Sequence, residues 1–307
     1  MMESISERIA RLKQEKDAVI LAHYYAPAEV QDAADFLGDS LGLSRIAAGT
    51  KAGTIIFGGV HFMAETAAIL CPDKTVLSPA PDAGCSLADS IDAATLRKWK
   101  EAHPDGIVVS YVNTTAAVKA QTDWCCTSAN AVKVVGSLPE GRPILFGPDR
   151  HLGGHIMKVT GRKMELWEGV CTVHDVISPE MIRKAAGEHP DADILIHPEA
   201  ACSSDAETLA ADNVFFYSTA GMLRHVAGSI RKKFVIATET GTLHQLVKEY
   251  PDRTFIPLSP GLVCRDMKKV TLEKILGCLE HGNGRVIIDE ETRQRAMLPI
   301  RRMLELE

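Results

Sequence analysis

The 307-residue sequence has eight cysteines but no C-x-x-C pair, so a zinc ribbon or a thioredoxin-type centre finds no support. It has no run of about eighteen apolar residues, and no transmembrane helix is expected. Its opening residues, Met1-Met2-Glu3-Ser4-Ile5-Ser6-Glu7-Arg8, carry acidic side chains and no apolar core, so no signal peptide is expected. Positive charge is also short: 34 Lys and Arg against 40 Asp and Glu give a formal net charge of −6. That balance argues against nucleic acid or an anionic membrane as the main partner, while leaving room for a local basic pocket. What is present is the 46% hydrophobic content of an ordinary soluble protein, with a cytoplasmic location expected. The length suffices for one large domain or up to three small ones.

Disulfides are rare in a cytosolic setting, and a free cysteine taken singly is usually a small buried apolar residue. That reading serves Cys125, Cys126 and Cys202, although all three lie close in sequence to candidate site residues. Three others stand apart. Cys171 lies in Leu166-Trp167-Glu168-Gly169-Val170-Cys171-Thr172-Val173-His174, with a helix expected to follow. Cys85 precedes it by 86 positions and Cys264 follows it by 93. Loops with two prolines and a glycine deliver the outer two: Pro79, Pro81 and Gly84 before Cys85, Pro257, Pro260 and Gly261 before Cys264.

The chain between these cysteines reads as one plan repeated three times. A short apolar run of buried-strand type ends in polar residues: Ala18–Ala22 before His23-Tyr24-Tyr25, Gly106–Ser110 before Tyr111-Val112-Asn113, and Asp193–Ile196 before His197-Pro198-Glu199. Helices are then expected to open at Ser40, at Ser128 and at Ser218-Thr219. Second strands follow at 54–59, 143–148 and 233–237. The first-strand ends precede the serines by 17, 17 and 21 residues; Phe57, Phe146 and Ala237 precede the cysteines by 28, 25 and 27. Further expectations are a helical segment through Asp32 to Leu37, a Gly- and His-rich stretch before Cys171, a strand at Arg285–Ile288 and a closing helix. Units of about 90 residues are too long for a solenoid repeat. The pattern predicts an α/β protein of three pseudo-symmetric parallel-sheet modules, 1–86, 87–172 and 173–279, with 280–307 a candidate completion of the first.

In parallel α/β modules ligands gather beyond the carboxyl ends of the strands. Three modules facing one axis would bring the three polar strand ends into one cavity. Helices opening at the serines would aim free N–H groups there, which suits carboxylate or phosphate. Three converging thiols suggest zinc or iron–sulfur. A closed zinc site would take His174 as its fourth ligand. A redox sensor or carrier would use the same cysteines without the polar strand ends, and a Cys3His zinc hydrolase is a third reading.

His23-Tyr24-Tyr25, Gly38-Asp39-Ser40-Leu41, Phe62-Met63-Ala64-Glu65-Thr66-Ala67 and Tyr111-Val112-Asn113 together resemble quinolinate synthase. So do Trp167-Glu168-Gly169-Val170-Cys171 with His174, His197-Pro198-Glu199, Ser218-Thr219 and Cys264, in order along nearly the whole chain. The resemblance implies a triangular array of three α/β domains around one [4Fe–4S] cluster held by Cys85, Cys171 and Cys264. It implies condensation of iminoaspartate with dihydroxyacetone phosphate to quinolinate, phosphate and two waters, feeding NAD biosynthesis, with a functional link to an iminoaspartate-producing enzyme. Substrate contacts are implied for His23, Ser40, Tyr111, Val112, Asn113, Ser128, His197, Pro198, Glu199, Ser218 and Thr219. Glu199 is the first candidate for general base, with Tyr25, Tyr111 and His174 as proton donors or relays. His174 thereby moves from fourth ligand to a group beside the metal. One departure from the family is that Arg265-Asp266-Met267-Lys268 follows Cys264, so the C-x-x-C of some members is missing here.

Overall fold

Apolar runs buried on both faces make parallel sheets, and this chain makes three of them. The computed structural model describes residues 3–306; the outermost module limits, at Met1 and Glu307, and the Met1-Met2 start of the N-terminal reading lie outside them. The first sheet holds β1 (Ala18–His23), β2 (Phe36–Gly38), β3 (Thr54–Gly58) and β4 (Thr75–Leu77). The second holds β5 (Ile107–Tyr111), β6 (Trp124–Cys126), β7 (Ile144–Gly147) and β8 (Glu165–Leu166). The third holds β9 (Asp193–Ile196), β10 (Val214–Phe216), β11 (Lys233–Ala237) and β12 (Thr254–Pro257). Their orders are β2-β1-β3-β4, β6-β5-β7-β8 and β10-β9-β11-β12, so one topology occurs three times. All strand pairs within the sheets are parallel.

In this order the chain leaves the first strand to one side and then crosses to the other. The crevice where ligands bind therefore lies between the ends of the first and third strands. His23 and Gly58 flank it in the first sheet, Tyr111 and Gly147 in the second, and Ile196 and Ala237 in the third. One hydrophobic core runs through the first two sheets and the C-terminal helices, while the third sheet has its own packing on either face. The last helix, Glu290–Glu305, lies against β6 and against the helices Ala116–Lys119 and His61–Leu70, so it bridges the first two sheets.

Several local expectations are corrected. The helix expected through Asp32–Leu37 ends at Ala33, and Phe36–Gly38 is the edge strand β2. Trp124–Cys126, just before the helix expected at Ser128, is the equivalent strand β6. One device starts both. The Asp35 carboxylate accepts the Ile20 N–H at 2.8 Å, and that of Asp123 accepts the Val108 N–H at 2.9 Å. Each aspartate is paired with a lysine from the helix that precedes the first strand of its sheet, Lys13 at 2.6 Å and Lys100 at 2.7 Å. The Gly- and His-rich stretch forms the helix Arg150–Thr160, capped by Asp149. After Cys171 the chain makes a tight turn, with the N–H of His174 on the Cys171 carbonyl at 3.0 Å, and the next helix waits until Pro179.

Arg285–Ile288 is not a strand of any sheet. It is an irregular segment with one antiparallel bridge, Leu77 to Arg285, and a Val286 N–H bond to the Val76 carbonyl at 2.9 Å. Gly284 makes that approach workable: its φ is +76°, and an added Cβ would collide with the Ser78 carbonyl oxygen. Gly284→Ala is expected to lower the unfolding free energy by about 2 kcal/mol or more, combining left-handed strain with the clash. An unchanged urea midpoint would count against this account of the segment.

Candidate functional site

The three crevices open onto one chamber of about 80 Å³, several times the space a single water needs. Its wall includes His23 and Tyr25 from beyond β1, Tyr111 and Asn113 from beyond β5, and His197 and Glu199 from beyond β9. Cys85, Cys171 and Cys264 line the same chamber, as do Ser40, Ser128, His174 and Thr219. Three expected site residues do not line it. Val112 points into the core, and Pro198 and Ser218 face a neighbouring groove that Ser128 shares.

The serines differ from one another. Ser40 is the first residue of the helix Ser40–Gly49, and the N-cap before it is Asp39, whose Oδ1 accepts the Gly42 N–H at 3.0 Å. Ser218 caps the helix Thr219–Gly228 and donates to Asp39 Oδ2 at 2.9 Å, which ties the third module to the first. Ser128 opens no helix. It sits in a turn before Ala131–Ser137, because Asn130 Oδ1 takes the Thr127 N–H at 2.8 Å and holds the turn in place. Ser128 Oγ instead meets His197 Nε2 at 3.2 Å.

A continuous hydrogen-bonded chain crosses the chamber floor. Thr219 Oγ1 and Thr238 Oγ1 each lie 2.8 Å from the Tyr25 hydroxyl. Thr238 Oγ1 is also 2.8 Å from His174 Nε2, and His174 Nδ1 is 2.9 Å from Glu199 Oε2. The Tyr111 hydroxyl donates to Glu199 Oε1. One consistent donor order runs Thr219, Tyr25, Thr238, His174, Glu199, with Tyr111 donating from the other side. The imidazoles of His174 and His197 stack with centroids 4.5 Å apart. Thr238 is the member that sequence reasoning missed. It follows β11 directly, at the same strand end that Ala237 marks.

Burial by itself would raise the Glu199 pKa, but charge on His197 when it is protonated, and at higher pH the hydrogen bonds from His174 and the Tyr111 hydroxyl, hold the carboxyl below its ordinary range. Burial, with Glu199 nearby, pushes the Tyr25 and Tyr111 phenols well above theirs, so both stay protonated as donors. His23 and His197 are driven down by burial to about 4 and about 3. Their Nδ1 atoms accept the N–H groups of Tyr25 at 3.1 Å and Glu199 at 3.4 Å, which leaves each Nε2 as the donor.

All eight cysteines are free. Cys125, Cys126 and Cys202 are buried, in line with their reading as small core residues. Burial pushes the Cys85 thiol up to about 12, Cys171 well above the ordinary range and Cys264 upward, and Glu199 adds to the first two. Thiolates in this field call for a cationic centre to balance them. Cys171, His174 and Glu199 alone, among the described residues, place three potential ligand atoms within 4.8 Å of one another. Both imidazole nitrogens and both carboxylate oxygens of that trio already have hydrogen-bond partners, which favours a proton path over an ion site. Cys85, Cys171 and Cys264 do not form so tight a group. Three thiolates on one zinc would stand about 3.8 Å apart at a Zn–S length near 2.3 Å. The donor set therefore fits a soft metal group broader than a single ion. A second mark of an occupant is Asn113 Oδ1, buried at the chamber wall with no hydrogen-bond partner.

The neutral histidines give a pH signature. The unfolded chain protonates each near 6.5, the folded chain only near 4 for His23 and 3 for His197. More protons bind to the unfolded state in that window, so stability present above pH 6.5 is lost as pH falls toward 4. The expected slope is about 1.4 kcal/mol per pH unit for each histidine. Urea titrations of the metal-free chain should show it, and His197→Asn should make it shallower; equal slopes would refute the assignment.

Residues 7–305 match the family described as "NadA: Quinolinate synthetase A protein". A protein named quinolinate synthase from Thermus thermophilus is 52% identical over 303 residues, covering 99% of this chain and 96% of that protein. One from Mycobacterium sp. KMS is 49% identical over 311 residues, covering 99% and 92%. One from Pyrobaculum aerophilum is 47% identical over 305 residues, covering 98% and 99%.

Proposed function

As the chain belongs to the quinolinate synthase family, we propose that it condenses iminoaspartate with dihydroxyacetone phosphate to quinolinate, phosphate and two waters, in the route to NAD. The observation that carries this reading is the single chamber that joins three widely spaced thiols to a buried, ionised Glu199 held by Tyr111 and His174. Cys85, Cys171 and Cys264 would hold one [4Fe–4S] cluster. When bound, such a cluster supplies Lewis acidity at the iron that no cysteine ligates.

The protein groups supply recognition and proton movement. Both substrates are anionic, and the Nε2–H of His23 with the hydroxyls of Ser40 and Ser128 offers donors to carboxylate or phosphate. Asn113 Oδ1, lacking a partner of its own, is placed to accept an imine N–H. Glu199 is the base that takes a carbon-bound proton, since it is ionised and opens onto the chamber. That proton can pass on to Tyr111 as Tyr111 gives its own to a departing hydroxyl, while Tyr25 and His174, donating toward Glu199 through Thr238, hold the carboxylate ready as a base. Phe62 and Met63 make an apolar side of the wall that limits water during imine closure. Thr219 holds Tyr25 in this reading, and Pro198 and Ser218 act through Glu199 and Asp39.

The proposal keeps the module limits 1–86, 87–172 and 173–279, supported by one sheet falling within each, and takes 280–307 as completing the first module. Among the described residues no helix is long and apolar enough to cross a membrane. A cytoplasmic setting and supply of the unstable imine by an oxidising enzyme acting on an amino acid complete the proposal.

Anaerobically purified protein is expected to be brown, with about four irons and four sulfides per chain, and to form quinolinate from the two substrates. Colourless zinc-loaded protein would favour the hydrolase reading, and brown protein without turnover the sensor. Cys171→Ala is expected to lose cluster and activity with the fold kept; full iron retention sinks the ligand assignment. Glu199→Gln should lower kcat about 10²- to 10⁴-fold with bound iron unchanged, and near-parental turnover would remove Glu199 as the base.

A further inference from the structure

A polar network beside the chamber, with Asp266 reaching its wall, has no part in the proposed chemistry. Glu239, wholly buried beyond β11, receives Lys268 Nζ on Oε1 at 2.9 Å and the Cys264 N–H on the same oxygen at 3.2 Å. Its Oε2 accepts the Gly241 N–H at 2.6 Å. Lys268 also donates to the Tyr25 carbonyl at 2.6 Å, and its own N–H closes a turn on the Cys264 carbonyl at 3.3 Å. Within that turn Asp266 Oδ1 accepts the N–H of Gly84, the residue before Cys85, at 3.2 Å. One turn thus grips the backbone at Cys264, beside Cys85 and at Tyr25.

The seam leaves no slack. A Cβ on Gly241 would sit 2.7 Å from Glu239 Oε2, 2.9 Å from Lys268 Nζ and 2.9 Å from the Tyr24 carbonyl oxygen. Gln31 Nε2 donates to the carbonyls of Tyr24, Ala26 and Gly241 at 2.8, 2.9 and 3.0 Å, fastening the first module to the third at the same place.

We propose that the turn from Cys264 to Lys268 is a spacer that fixes the separation of Cys85 and Cys264, with Asp266 positioning the former and the Glu239–Lys268 pair the latter. This rests on the reading of these cysteines as cluster ligands. Partners that orient a ligand from behind typically change metal retention about 10- to 100-fold when removed. Asp266 gives the cleaner test: its other partner, Lys269 at 2.8 Å, is partly exposed and also bonds the Asp82 carbonyl, whereas removing Lys268 strands the buried Glu239.

The experiment follows iron release from the anaerobic holoprotein to a ferrous chelator, alongside thermal melting of the cluster-free chain. Asp266→Ala removes the acceptor for Gly84 and should release iron about tenfold faster than the parent, whereas Asp266→Asn, which keeps a side-chain oxygen, should stay within about twofold. Cluster-free melting temperatures should match across all three. The paired change Glu239→Gln with Lys268→Met should also speed release, since it loses the charged grip while keeping the shape. Release from Asp266→Ala at the parental rate overturns the spacer, as does an Asn variant as fast as Ala. A parent that holds no iron overturns the ligand reading itself, and the spacer with it.

Discussion

A carboxylate shut away from water is the constraint on which this structure turns. Glu199 has almost no exposure, and ionising it there is costly unless donors meet it. The donors come from elsewhere in the chain: Tyr111 from the end of the second sheet's first strand, and His174 from the turn after Cys171. His174 in turn leans on Thr238, which leans on Tyr25 of the first module. Remove any one module and a buried polar group is left without its partner. The triangle of sheets is therefore held by the needs of its centre as well as by apolar packing, and the packing is uneven. The first two sheets share a core, whereas the third has apolar clusters of its own and meets the first module through polar contacts that include Asp39–Ser218 and Gln31–Gly241.

Three copies of one topology present three equivalent strand ends, and each has been given different chemistry. His23 and His197 occupy like positions and use like geometry, each accepting on Nδ1 the N–H two residues ahead. Tyr111 stands at the third such position as a donor to Glu199. A symmetric frame thus surrounds an asymmetric site.

Much of this was legible in the sequence because buried parallel strands are apolar to their last residue, and a polar residue placed there is conspicuous. That contrast exposed His23, Tyr111 and His197, and the spacing of Cys85, Cys171 and Cys264 exposed the threefold plan. The edge strands were not legible: three residues at Phe36–Gly38 or Trp124–Cys126 carry too little periodicity to separate strand from helix. The matched pairs Asp35-Phe36 and Asp123-Trp124 were a signal available to be read, since each aspartate replaces a ladder partner. Arg285–Ile288 misled in the other direction, having strand-like residues but a backbone set by Gly284. Thr238 and Asp266 gave no sign at all, because their roles depend on neighbours far away in sequence.

The bond between Tyr25 and Thr219 joins residues 194 apart, and that between Tyr25 and Thr238 joins residues 213 apart. A chain emerging from the ribosome has exposed every residue of its first sheet long before either threonine exists. Until then the Tyr25 phenol and the other polar strand ends must face solvent, and the first sheet waits with one rim wet. The chamber thus behaves as a conjunction of three inputs, dry only when the last has arrived. A chain cut short of Thr219 lacks part of the chamber wall.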